Sequence, residues 1–370
     1  MVVGDVQRIL EAWAPVKLAW ERDNVGLLIG SSSRKVAKIL VSLDVTDEVI
    51  AEAIKKKIDL LVTHHPLIFG SVRTITDGDR TGKLILSLVR QNIALYAAHT
   101  NLDFTRSGVS FALAERLNLL NARVLAQDVK QLRKVVVFVP ATHAEKVTHA
   151  MTEAGAGAMG NYDSCTFQAP GTGTFRPQKG ANPFIGSKGT LERVDEIRLE
   201  TIVPAWNLNT VLAAMLKSHP YETVAYDVYA LENTTPEYGA GVIGELRTPM
   251  TLRVFLKLIR SRLGTPSPRY AGNLDRQVRI VAACGGSGSD LLPVAIMQGA
   301  DVFVTADVKY HTFQSAEASI ALVDAGHYET EAPIVKKIVS YLSDQCRERK
   351  ERITVLSATR SHNPVQYFMS

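Results

Sequence analysis

KILVSLDVTDEVIAEAIKKKIDLLVTHHP, residues 38–66, reads as a strand, a helix and a second strand that runs straight into a pair of histidines. KILVSLDV and IDLLVTH are short apolar runs rich in β-branched residues, whereas DEVIAEAIKKK between them spaces its apolar residues at i, i+3 and i+4. The alternation extends from Val36 to Asn118, with NIALYAAHT as a third strand and GKLILSLVRQ and GVSFALAERL as further amphipathic helices. Nearly continuous apolar strands separated by such helices predict a largely parallel sheet covered on both faces. The pattern returns near the C-terminus, where VRIVAAC, ADVFVTA and SIALVDAG alternate with DLLPVAIMQ and APIVKKIVSYLSDQ.

The middle of the chain follows another rule. LRKVVVFVP, a helix from Ala144 to Ala154 and strand-like residues near Cys165 make one β-α-β unit. EIRLETIVP, a helix from Leu208 to Ser218 and TVAYDVYAL make a second, and Gly171 to Gly189, rich in Gly, Pro, Lys and Ser, reads as the loop between them. Two such units in succession are the signature of a ferredoxin-like α+β domain. Because the α/β pattern resumes afterwards, this domain reads as an insertion with edges near Gln127 and Pro236, where turn-forming residues cluster. The predicted organisation is an α/β core built from residues 1–127 and 236–370, interrupted by an inserted domain at 128–235.

At 370 residues the chain is long enough for two domains. Hydrophobic residues at 46% and charged residues at 21% fit a globular chain with real cores and not a disordered one. No apolar run approaches the ~18 residues that a membrane-spanning helix needs. The N-terminal VVGDVQRILEAW has helical spacing broken by charges, unlike a signal sequence. Cys165, Cys284 and Cys346 are scattered without a CxxC pair, which argues against a disulfide frame or thiolate zinc site and for a reducing cytoplasm. The net charge of +5 is spread along the chain, and the basic clusters at 55–57 and 347–352 sit in helical patterns. Solvated faces account for them, so neither a nucleic acid nor a membrane is expected as a partner.

Three of the predicted strands end in residues of metal-ligand type. IDLLVT ends in His64-His65-Pro66, IALYAAHT in Asn101-Leu102-Asp103, and IALVDAG in His327, with Glu331 four residues on in the first turn of a helix. Ligands in open α/β sheets bind beyond the carboxyl ends of the strands, so the architecture delivers all three clusters to one edge. His327 and Glu331, at i and i+4, share one helix face. Adjacent His64 and His65 point apart in an extended chain, which suits two neighbouring ions, and Asp103 or Glu331 is placed to bridge them. Imidazole with carboxylate selects divalent transition ions such as zinc, iron or manganese over magnesium or calcium.

Other residues gather around the same strand ends. His99 stands four before Asp103 and is either a proton donor to substrate or an orienting partner of a ligand. Lys309 and His311, after DVFVTA, read as a phosphate binder and a general acid, or as solvated loop residues. Glu329 is expected to be exposed or to cap the helix. Cys284-Gly285-Gly286-Ser287-Gly288-Ser289-Asp290 lies between a strand and a helix. It is either a phosphate cradle or, as favoured, a tight turn with Ser289 or Asp290 as the helix N-cap.

Taken in order, Trp20 with DNVGLLIG (23–30), THHPLIF, AAHTNLD, GVIGELRTPM, ADVFVTADVKYH and DAGHYETE resemble the successive motifs of the Nif-three-like dinuclear-metal family. Many of its members carry the name GTP cyclohydrolase 1 type 2 homologue. The middle segment, ending in HPYETVAYDVYAL, resembles the insertion of the longer bacterial members, which is similar to trimeric PII and CutA-like proteins. The resemblance implies two metal ions per chain on His64, His65, Asp103, His327 and Glu331, a place for Asp23 and Asn24 in the pocket, and a homohexameric ring of two trimers. Two such ions acidify a shared water, and with no Ser-His-Asp set or reactive cysteine in evidence a metal-dependent hydrolase of a nucleotide-like or other phosphorylated small molecule is expected, which the resemblance would make a GTP cyclohydrolase. The contrasting expectation is a metal-trafficking or metallocentre-assembly protein without turnover, and a third makes the insert an effector sensor.

Overall fold

The computed structural model describes residues 1–127, 131–317 and 319–368. It divides into two compact units, Met1–Gln127 with Glu237–Ser370, and Asp128–Pro236. The expected start of the insert at residue 128 lies outside the described residues.

The first unit holds two sheets. One is ordered β1-β4-β3-β2-β15, from β1 (Gly26–Ile29), β2 (Lys38–Ser42), β3 (Leu60–Thr63), β4 (Ala94–Ala97) and β15 (Thr354–Ser357). Its pairings are parallel except for β1 against β4. Val41, Val62 and Tyr96 pack with Ile338 and Leu342 on one face, and Leu40, Leu61 and Leu95 with Val49 and Leu88 on the other. This double burial is why the strands read as continuous apolar runs.

The helix between β2 and β3, Asp47–Lys56, shows how local sequence sets its limits. Thr46 accepts from Val49 N at 3.2 Å at its start, with Asp47 and Glu48 in the first turn, and Lys55 and Lys56 in the last. Both charge placements favour the helix dipole.

The second sheet is ordered β11-β14-β13-β12-β10-β5, from β5 (Leu120–Gln127), β10 (Gly239–Thr251), β11 (Arg269–Ala271), β12 (Gln277–Ala283), β13 (Val302–Thr305) and β14 (Ala321–Asp324). Only β12–β13 and β13–β14 pair in parallel, while β10, β5 and β11 add antiparallel pairings. The expected largely parallel sheet therefore holds for the first sheet and not for the second. The cause lies in β10, a long strand that pairs with β12 on one side and β5 on the other. Its first residue, Gly239, sits opposite Gln127, the last of β5, so the chain leaves and rejoins this unit at adjacent positions of one ladder.

The unit 128–236 has one sheet ordered β7-β8-β6-β9, from β6 (Leu132–Pro140), β7 (Thr166–Phe175), β8 (Glu192–Pro204) and β9 (Tyr226–Ala230). Helices Ala144–Glu153 and Leu208–Ser218 cover one face, where Val135, Val137, Leu199 and Val203 meet Val147, Met151, Val211 and Met215. β7 extends to Phe175 and so takes in Gly171–Phe175 of the predicted loop. An edge position explains this, because a strand with one free side tolerates Pro170 and the glycines beside it.

Candidate metal centre

β3 ends at Thr63 and delivers His64 and His65, while β4 ends at Ala97 and is followed by His99 and the short helix Thr100–Asp103. β14 ends at Asp324, the chain turns at Gly326 (φ 91°), and the helix His327–Glu331 begins. The ligand-type residues thus come from the carboxyl ends of two sheets, not from one edge of a single sheet as the sequence implied. Both sheets lie in the same unit.

Glu331 is the centre of the cluster. Its Oε2 stands 2.9 Å from His65 Nε2 and 3.1 Å from His327 Nε2, and its Oε1 is 3.8 Å from His64 Nε2. His64 Nε2 is 3.6 Å from Asp103 Oδ1. Donor atoms fall into two groups within 4.8 Å, one of His64, His65 and His99 and one of His65, His327 and Glu331.

Each of the four rings is clamped through Nδ1. Ala98 O holds His64 at 2.8 Å, Asp44 holds His65 at 2.7 Å, Asp23 holds His99 at 2.9 Å and Asp307 holds His327 at 2.6 Å. Nε2 of His65 and of His327 then meets Glu331, and that of His64 faces Asp103 and Glu331, the arrangement in which an outer carboxylate or carbonyl fixes the tautomer of a metal-binding histidine.

His64 Nε2 and Asp103 Oδ1 are buried without a hydrogen-bond partner, and Glu331 Oε2, though 2.9 and 3.1 Å from two ring nitrogens, is aligned for a hydrogen bond with neither. An orphaned buried polar atom costs about 1–3 kcal/mol, and three in one place demand a common explanation. A cation among them would satisfy all three, and their nitrogen and oxygen donors suit a divalent transition metal.

The titration behaviour reflects the crowding. Burial opposes a charge on His65, but Asp44 and Glu331 outweigh it and raise its pKa to about 10. Glu331 raises His327 to about 9 against the effect of burial. Burial lifts the Asp103 carboxyl to about 6, opposed by His64 and aided by Glu331. Burial also disfavours the Glu331 carboxylate, yet His327 and His64 hold its pKa well below the ordinary value. The carboxylates favour a positive charge on these rings, and a cation bound among them would compete with those protons.

A cavity of about 680 Å³ opens over the cluster, and His65, His99, Asp103, His327 and Glu331 line it. His311 is not among its lining residues; it is exposed in the helix Tyr310–Ala316, beside Gln314 at 3.4 Å. Lys309, just before that helix, is also outside the lining, and Asp307, nearer the strand end, is the residue that reaches the cluster. Glu329 is neither exposed nor a cap: it is 7% exposed and accepts from Asn363 Nδ2 at 3.0 Å.

The glycine-rich stretch is the strand-to-helix turn favoured over a cradle, but the expected cap is absent. Ser289 and Asp290 cap no helix, since Ser289–Leu291 form a 3-10 turn preceded by Gly288, without a side-chain cap. Nor does a phosphate cradle survive at its glycines, because Gly286 N donates to Thr330 Oγ1 at 3.0 Å and Gly288 N to Thr305 Oγ1 at 2.9 Å. The turn instead lets backbone press on the cluster: a Cβ on Gly286, at φ +62°, would lie 2.1 Å from Glu331 Oε1. Asp44 and Asp307 went unread in the sequence, although each is an acid at or just past a strand end, as Asp103 is.

The family model Duf34/NIF3 (NGG1p interacting factor 3) matches residues 1–364. A protein of Halalkalibacterium halodurans named GTP cyclohydrolase 1 type 2 homolog is 44% identical over 324 residues, 87% of each chain. One of the same name from Bacillus subtilis is 40% identical over 362 residues, 97% of each. A crystal structure of a Bacillus cereus protein related to NIF3 superposes with a TM-score of 0.86 at 40% identity, covering 100% of this chain and 99% of the other.

Proposed function

The chain belongs to the Duf34/NIF3 family, and from that premise we propose that it is a metal-dependent hydrolase of a nucleotide-like or other phosphorylated small molecule. It would hold two divalent transition ions, zinc, iron or manganese, on His64, His65, Asp103, His327 and Glu331. The observation that carries the reading is the set of orphaned buried atoms, His64 Nε2, Asp103 Oδ1 and Glu331 Oε2, among rings already anchored through Nδ1. Glu331 Oε2 lies beside His65 and His327 while its Oε1 faces His64, so one carboxylate addresses two sets of rings, which supports two ions over one. When bound, such a pair stabilises developing negative charge and acidifies coordinated water.

The protein's own groups complete the chemistry. His99, held by Asp23, keeps its second nitrogen toward His64 and His65 and serves as proton donor or acceptor at the cavity wall. Burial opposes the Asp23 charge, but His99 and Thr100 outweigh it and keep Asp23 ionised, so His99 stays oriented. Elemental analysis after metal repletion should give two ions per chain, and a clear one or none would sink the dinuclear reading. Turnover of a phosphorylated metabolite should vanish with chelation and return with metal. Full activity after confirmed metal loss refutes the mechanism. If metal exchanges freely to a competing acceptor and nothing is turned over, the trafficking reading replaces it.

The strand order β7-β8-β6-β9 with two helices on one face supports reading the unit 128–236 as ferredoxin-like. On this reading it builds the assembly, a cytoplasmic homohexameric ring of two trimers, and contributes none of the five ligands. Among the described residues no helix is long and apolar enough to cross a membrane.

A further inference from the structure

Two large aromatic side chains that line the cavity are mostly open to solvent, Trp20 at 63% and Phe69 at 73%. Single exposed apolar residues are ordinary; these two are held in place. Trp20 N donates to Thr100 Oγ1 at 3.0 Å, and Thr100 N donates to Asp23 Oδ2 at 3.1 Å, the carboxylate that also anchors His99. The indole packs edge-on against Phe104 with centroids 5.9 Å apart. Next in sequence, Asn24 Nδ2 donates to Ile68 O at 3.0 Å and so pins the residue before Phe69. Phe69 itself meets the His99 ring edge-on at 6.3 Å. Asp23 and Asn24 therefore hold the backbone that carries both rings at the His99 corner of the cavity.

The charges of the lining point to a ligand of modest anionic character. Arg80 is the one Lys or Arg side chain among the described lining residues, and Asp44, Asp103, Asp290 and Glu331 face the same space. Arg80 is exposed and makes no hydrogen bond or ion pair among the described residues; its charge acts on Glu48 from a distance, and its guanidinium can pair with an anion. The turn amides of Gly286 and Gly288 are already engaged and offer a phosphate chain nothing. Divalent ions would add positive charge, of which Asp103 and Glu331 offset part.

We infer that the cavity recognises a flat heteroaromatic ring bearing one anionic group, of the nucleoside monophosphate class, and discriminates against nucleoside triphosphates. The ring lies against Trp20 and Phe69, where stacking is tolerant of base identity, and the anion pairs with Arg80. The inference rests on reading this cavity as the substrate site, and binding tests it apart from turnover.

The zinc-loaded full chain is titrated calorimetrically with the four ribonucleoside monophosphates, with guanosine and with GTP, zinc content being checked after each run. At least one monophosphate should bind, and GTP should bind more weakly than GMP. Trp20→Ala should weaken the monophosphate by about tenfold, and Arg80→Ala should weaken it comparably while leaving guanosine unchanged. Failure of all four monophosphates to bind, wild-type binding by both variants, or GTP binding as tightly as GMP or tighter with zinc retained, overturns the inference. Binding in this pattern without turnover of any compound sinks the hydrolase reading and leaves the inference standing. Efficient turnover of a ringless substrate does the reverse.

Discussion

Histidines in the two units are used in opposite ways. In the unit 128–236, His219 is buried with both nitrogens committed: Nε2 bonds Phe138 O at 3.0 Å and Nδ1 accepts from Tyr221 N at 3.1 Å. Burial lowers its pKa, as befits a neutral ring serving as a structural bracket. In the other unit His64, His65, His99 and His327 each commit Nδ1 to a carbonyl or carboxylate, and Nε2 of His65 and of His327 meets the same Glu331 oxygen. Burial of an imidazole is therefore uninformative by itself. What separates a bracket from a candidate ligand is whether the second nitrogen is spent on the backbone or turned into a cluster of carboxylates and other rings.

Substitutions that respect or violate this distinction should sort by size. Glu331→Gln removes the carboxylate shared by His65 and His327, and its loss in zinc affinity should exceed the ~10–100-fold typical of an outer partner. Competition with a chelating dye measures it, and near-normal affinity would mean that the cluster has another centre. Asp44→Asn should fall within that ~10–100-fold range, because it frees the His65 ring without removing a donor. No change would show that Asp44 is a bystander. Leu199→Ala should cost the insert about 2–5 kcal/mol in urea unfolding and leave zinc content unchanged. A parallel loss of zinc would break the division of labour between the units. Glu329→Gln should have the smallest effect, under about threefold in zinc affinity, since Glu329 pairs with Asn363 and not with the clustered rings. A loss equal to that of Glu331→Gln would mean that the wrong carboxylate has been assigned.

Much of this site was legible because ligand-type residues stand at the ends of apolar strands, as in LLVTHH and ALVDAGH. The helical i, i+4 spacing of His327 and Glu331 was equally plain, and their atoms meet at 3.1 Å. Asp44 and Asp307 were not legible, since an acid after a strand looks the same whether it holds a histidine ring or faces water. Gly286 misled for a related reason: the sequence shows a flexible turn, while its use depends on a carboxylate brought close by a helix 45 residues later. The antiparallel half of the second sheet was hidden because β10 joins strands on both sides, a fact of pairing that apolar periodicity does not encode.

The pairing of Gly239 with Gln127 makes a unit of about a hundred residues topologically equivalent to a hairpin turn. In the unfolded chain, bringing those two positions together costs about 4 kcal/mol of loop-closure entropy. Once the intervening unit has folded its ends are no longer independent, and most of that cost disappears. Folding order follows: the enclosed unit should fold first and act as the nucleating turn for the β5–β10 ladder, and the second sheet should form only afterwards. A chain emerging from the ribosome meets the same sequence of events, because β10 and β12 to β14 are synthesised after the enclosed unit is complete. The histidines and carboxylates of the cluster would then be brought together last, when the rest of the chain already has a shape to receive them.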